Sequence, residues 1–257
     1  MTKTAVVLWS GGVESTWCVL HYLARGIHVH PVFVDYGQAA RRQEYKAVIT
    51  MLTHVNQHGW GRILPVEVIK ITMGMEKHPL LTGSAGPRLA WWSWFLPGRN
   101  LTLLSLAGTF AATKGYETLA LGVHEPPDDP GVKPLNVPPP PYPDANPVFV
   151  ALAQSAIQMA IGYTKDHKTL TIETPAMTLR KADGLRRINE YEVNWGRALQ
   201  HALKRPELTD AHRPGFFVRQ LWSCFAGSSH PCGRCYRCED RNAAWHEVFG
   251  EDEAHMQ

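Results

Sequence analysis

Long apolar runs are missing from this sequence. None approaches the ~18–20 residues that a bilayer span needs. Hydrophobic residues still make up 44% of the chain, an ordinary share for a folded core. The opening "MTKTAVVLW" breaks into glycine after too short an apolar stretch for a secretory leader. A soluble, cytoplasmic protein with no membrane partner is expected. Basic clustering is also missing. The net charge is +3, and the densest basic groups are the pairs Arg41-Arg42, Arg180-Lys181 and Arg186-Arg187. A nucleic-acid binder normally shows a continuous basic face, so nucleic acid is not an expected partner. Cysteine is scarce outside one place: four of five fall within residues 224–238. A disulfide scaffold would spread its cysteines through a much shorter chain, so the cluster points to metal. Internal repeats are lacking. So are the G-x-x-x-x-G-K-[ST] loop of kinases and GTPases and the G-x-G-x-x-G fingerprint of dinucleotide binders.

What is present is an alternation of apolar, β-branched runs with helical patterns, the signature of a parallel α/β sheet. Strands are predicted at Ala5–Trp9, Val29–Val34, Leu64–Val68, Thr118–Leu121 and Leu170–Ile172. Helices are predicted at Ser15–Ala24, Gln38–Val55, Leu101–Lys114 and Pro147–Ile161. The expected fold is a Rossmann-like, doubly wound five-stranded parallel sheet over residues 1–174, with a helical, zinc-binding region over 175–257. Two long connections, residues 72–98 with "AWWSWFLPG" and 122–146 with "NVPPPPYPDAN", read as lids or binding loops, the second a stiff proline flap. A disordered insertion is the alternative for both.

The stretch "VVLWSGGVEST", residues 6–16, carries the first chemistry. A strand running into Ser10, Gly11 and Gly12 and then a helix turns unpaired backbone N–H groups outward, toward a phosphate. Ser10, Ser15 and Thr16 add hydroxyls, and Glu14 is placed to hold Mg²⁺. A plain turn with a serine cap is the competing reading. The second chemistry lies in "SCFAGSSHPCGRCYRC", where Cys224, Cys232, Cys235 and Cys238 have the spacing of a closed, structural Zn²⁺ site. An iron–sulfur cluster is the rival, but the ferredoxin run wants proline after its last cysteine and Glu239 stands there.

"SGGVEST" resembles the pyrophosphate loop of the ATP pyrophosphatases, usually S-G-G-x-D-S, which cleave ATP between the α and β phosphates and transfer AMP to an oxygen. Taken in order, "SGGVEST", "DYGQ" at Asp35–Gln38, "PGRN" at Pro97–Asn100, "YPD" at Tyr142–Asp144, Lys181 and the cysteine segment resemble the 7-cyano-7-deazaguanine synthase family. That resemblance implies adenylation of 7-carboxy-7-deazaguanine, displacement of AMP by ammonia to give the amide, and dehydration of the amide to the nitrile. It implies ATP, Mg and Zn as cofactors and a homodimer. It also implies ATP binding by Ser10, Gly11, Gly12, Glu14, Ser15, Thr16, Tyr36, Gln38, Arg99 and Asn100. Arg99, Lys181 and Glu14 would serve the reacting phosphate. For the deazapurine, the aromatic stretch containing Trp94 and Phe95 offers stacking, and Tyr142 and Asp144 in the flap offer recognition; core packing is the alternative for the rings. Asn100 has helix capping as its alternative, and Tyr36 and Gln38 ordinary turn packing.

Two departures from the family pattern stand out. Glu14 replaces the usual aspartate, and "YPDAN" supplies Ala145 and Asn146 where cysteine and arginine normally follow. They indicate a divergent branch. Three further readings follow from it: transfer of the activated deazaguanine to a protein amine in an antiviral system, tRNA thiolation, or a nucleotide-binding module without catalysis. Thiolation needs reactive cysteines beyond the metal ligands, and only Cys18 remains.

Overall fold

The computed structural model describes residues 3–83, 95–124, 143–162, 169–203 and 215–250, with backbone alone over 196–203. In chain order the elements are β1 (Thr4–Leu8), α1 (Val13–Leu23), β2 (His28–Asp35), α2 (Arg41–His58), β3 (Glu67–Lys70), α3 (Pro79–Thr82), α4 (Arg99–Thr113), β4 (Thr118–Leu121), α5 (Pro147–Ile161), β5 (Thr171–Glu173), α6 (Lys181–Leu203), α7 (Phe216–Gln220) and α8 (Tyr236–Phe249). The strands form one five-stranded sheet in the order β3-β2-β1-β4-β5, with every pairing parallel. This is the expected Rossmann-like architecture.

β1 is central, and its composition explains why. Alternate residues point to opposite faces, so a strand covered on both sides must be apolar throughout. Ala5, Val7 and Trp9 face a core shared with α1 and α2, while Val6 and Leu8 face one shared with α4 and α5. The first core also takes in Ala182, Leu185 and Ile188 of α6, Phe217 of α7 and Trp245 of α8. Helices α6, α7 and α8 therefore pack on the α1 side of the sheet. On the other side, Leu104 of α4 is fully buried. Leu104→Ala should lower unfolding free energy by about 2–5 kcal/mol, the usual cost of a leucine-sized core deletion, readable by urea titration.

β3 starts later than expected, at Glu67 rather than Leu64. Ile63 makes only an isolated bridge to Val29, and Pro65, which lacks an N–H, follows before regular pairing can begin.

Chain direction changes sides at β1: β2 and β3 lie to one side, β4 and β5 to the other. Such a switch point opens a crevice at the carboxyl ends of the two central strands. Here it lies between Leu8–Ser10 and Leu121–His124.

Candidate active site

α1 begins at Gly12, which serves as its N-cap with no side-chain cap hydrogen bond. Its first-turn amides therefore have no capping partner, and the positive end of the helix faces the crevice. Gly11, at φ +78°, turns the chain there; a Cβ would sit 3.0 Å from Ala47 Cβ and 3.1 Å from the Glu44 carbonyl oxygen. The Trp222 amide donates to the Gly11 carbonyl at 2.9 Å, and Arg241 donates to the Leu221 carbonyl at 2.5 Å. The chain leading into and out of the cysteine cluster thus clamps the loop from outside.

Ser10, Gly12, Glu14 and Ser15 line a cavity together with Tyr36, Gln38, Glu44, Arg99, Asn100, His124 and Asp144. The Ser10 and Ser15 hydroxyls lie 3.2 Å apart, and Ser15 donates to the Gly12 carbonyl at 3.2 Å. Thr16 faces elsewhere. It is fully buried, and its hydroxyl accepts from the Trp9 indole at 3.0 Å. Gly11 likewise shapes the loop without lining the cavity.

Lys181 is also set back from the cavity. Its Nζ lies 3.2 Å from Glu14 Oε1 and 2.6 Å from Asp240 Oδ2, with its side chain only 3% exposed. Burial would pull its pKa down; Asp240 and Glu14 outweigh burial and raise it. Burial alone would push the Glu14 carboxyl up, but Lys181, with His124 and Arg237, holds it well below the usual carboxylate range. The magnesium ligand expected at Glu14 is thus engaged in an ion pair with Lys181 and lies 3.2 Å from His124 Nδ1.

Gln38 is fully committed within the protein. Its Oε1 accepts from the Tyr36 amide at 2.9 Å, and its Nε2 donates to the Val34 carbonyl at 3.2 Å and to Glu44 Oε2 at 2.9 Å. Asn100 does not cap α4, whose N-cap is Gly98. Its amide donates to the Asp144 backbone carbonyl at 2.9 Å and its Oδ1 accepts from Arg99 Nε at 3.3 Å. The tether holds Asp144 in place: 7% exposed, with neither carboxylate oxygen partnered among the described residues. Burial raises its pKa against the pull of Arg99. Asn146, one of the departures, caps α5 by accepting from the Phe149 amide at 2.9 Å. Phe95 lies outside the cavity lining, with its backbone carbonyl 3.1 Å from His78 Nε2. Trp94 and Tyr142 lie outside the described residues.

The structure adds aromatic walls that sequence reading missed: Phe225 and Tyr236 from the cysteine segment, and Trp222 just before it. It also adds Glu44, whose carboxyl burial pushes up to about 7, against the Gln38 hydrogen bond and Arg99. A carboxyl raised from 4.5 in the unfolded chain to about 7 in the fold contributes stability below 4.5 and loses it as pH rises through 7. Glu44→Gln should therefore gain thermal stability over the parent progressively from pH 5 to pH 8, a trend that melting curves across that range will show.

The four clustered sulfurs lie within 4.8 Å of one another, with Cys235–Cys238 at 3.5 Å and Cys232–Cys238 at 3.9 Å. A tetrahedral Zn–S₄ shell with Zn–S near ~2.3 Å sets its sulfurs about 3.8 Å apart. The donors fit zinc. Hydrogen bonds from Cys224 and Cys238 hold the Cys235 thiol well down, and Cys235 is the N-cap of α8. His230 is no part of that cluster. Cys18 is fully buried and its thiol is pushed up by burial, the opposite of a reactive cysteine. Among the described residues, no helix is long and apolar enough to cross a membrane.

An uncapped glycine loop at a switch point has the geometry by which ATP-using pyrophosphate-loop enzymes receive a nucleotide's phosphates. Residues 4–249 match the family described as queuosine biosynthesis protein QueC, and the chain belongs to that family. Among similar proteins, a 7-cyano-7-deazaguanine synthase of Thermosynechococcus vestitus is 28% identical, covering 96% of this chain and 93% of the relative. One of Caldicellulosiruptor bescii is 27% identical, covering 96% and 95%. A solved 4-thiouridine synthetase bound to RNA and ATP is 14% identical with a TM-score of 0.39, covering 98% of this chain and 54% of that one. That last likeness is too distant to carry weight.

Proposed function

We propose that this protein adenylates the carboxylate of 7-carboxy-7-deazaguanine with ATP and transfers the acyl group to ammonia. The product is the amide, and a second activation dehydrates it to the nitrile that the relatives' name describes. The observation that carries the reading is Asp144, a buried carboxyl with both oxygens unpartnered among the described residues, in the cavity that the glycine loop opens. A deazaguanine edge presents neighbouring N–H donors, which a carboxylate accepts in pairs. Trp222, Phe225 and Tyr236 offer faces for a flat ring, and Arg99 offers a positive charge to offset the negative charge on the α-phosphate oxygens. The amides of α1 would hold the departing pyrophosphate. Magnesium, supplied with the nucleotide, would offset the charge of its phosphates. Zinc, when bound by the four cysteines, supplies a fixed wall and no chemistry, because a filled S₄ shell has no open position.

The test is an incubation with ATP, Mg²⁺, 7-carboxy-7-deazaguanine and ammonium, with products weighed by mass spectrometry. Amide or nitrile with equimolar AMP supports the reading. AMP release without either product would redirect it to another amine, such as a protein N-terminus. No AMP with any amine leaves a nucleotide-binding module.

A further inference from the structure

His124 follows β4 at the carboxyl end of the sheet, and its Nδ1 lies 3.2 Å from Glu14 Oε1, the side chains being 20% and 14% exposed. Both residues line the cavity. The same Glu14 oxygen lies 3.2 Å from Lys181 Nζ, so the carboxylate stays charged and fixed in place. A carboxylate on Nδ1 selects the imidazole tautomer protonated there and leaves Nε2 as a proton acceptor. Among the described residues nothing occupies Nε2. A base beside an orienting carboxylate, in a residue that lines the cavity, is an arrangement for removing a proton from something bound there.

We propose that His124 is the general base of the amine-transfer step, with Glu14 as its positioning residue. The inference rests on the adenylation reading above. In the step, the lone pair of the amine nitrogen forms the C–N bond to the acyl carbon. The acyl C–O bond to AMP breaks, and its electron pair leaves on the AMP phosphate. The proton lost by nitrogen passes to His124 Nε2 and then to solvent. The charged groups around the pair are Lys181 from α6 and Arg237 and Asp240 from α8; across the cavity stand Arg99, Glu44, Asp144 and the Tyr36 phenol.

The test separates the half-reactions in the zinc-loaded full chain: ATP–pyrophosphate exchange driven by the carboxylic acid, and amide formation from ammonium. His124→Asn should lower the ratio of amide formation to exchange by about 100-fold or more, the usual contribution of a general base. Glu14→Ala should lower the same ratio, and Glu14→Asp should restore part of it. A parent-like ratio in His124→Asn overturns the proposal. So does an equal loss of exchange and transfer in both His124→Asn and His124→Gln. A parent chain that shows neither half-reaction with any amine refutes the adenylation reading itself, and the assigned base falls with it.

Discussion

Cys235→Ser is expected to abolish stoichiometric zinc and, with it, ATP-dependent turnover. The argument is geometric. Cys235 caps α8 and Cys238 lies in its first turn, next to Tyr236 and Arg237, which line the cavity. The same segment presents Trp222 and Phe225 to that cavity and clamps Gly11 through the Trp222 amide. Structural zinc contributes roughly 10–16 kcal/mol of binding free energy in small zinc-dependent folds, and zinc bound by these cysteines would hold one wall of the cavity. Zinc content by mass spectrometry, thermal melting and pyrophosphate release should fall together. Full pyrophosphate release from a zinc-free variant would show that the wall stands without the metal.

Gly122→Ala is expected to be nearly as damaging, through backbone contact alone. A Cβ at residue 122 would lie 2.5 Å from the Ser15 nitrogen, 2.6 Å from its Cα and 2.8 Å from the Glu14 carbonyl carbon. None of these is a flexible side-chain end, so the first turn of α1 has to move. A displacement on the order of 1 Å at reacting groups costs about 10²-fold in rate. Steady-state pyrophosphate release should drop by that order, and the nucleotide affinity measured by calorimetry should fall as well. Parent-like kinetics in Gly122→Ala would mean that α1 tolerates the shift and that its position is not critical to catalysis.

The sheet was legible in sequence because its strands are buried on both faces, so apolar runs and strands coincide in β1, β2 and β4. The edge strand β3 was misplaced because Pro65 removes a ladder donor without breaking the apolar run. The glycine loop and the cysteines were legible because each site is local in the chain. Gly122, His124 and Glu44 were not, because their surroundings come from neighbours far away in sequence: Gly122 and His124 meet the start of α1, and Glu44 meets Arg99 at the cavity. One signal was available for the first two. A glycine and then a histidine follow the end of a predicted central strand, where open α/β sheets put their ligands. Thr16 shows the converse: a buried hydroxyl, partnered by the Trp9 indole, carries the residue type of a phosphate site.

The most direct measurement is a crystal structure of the zinc-loaded protein with a non-hydrolysable ATP analogue. The account predicts phosphate oxygens within hydrogen-bond distance of the backbone amides that open α1, with the base beside the aromatic wall from the cysteine segment. Phosphates bound away from those amides, or a glycine loop closed by the protein's own side chains with nucleotide elsewhere, would contradict it.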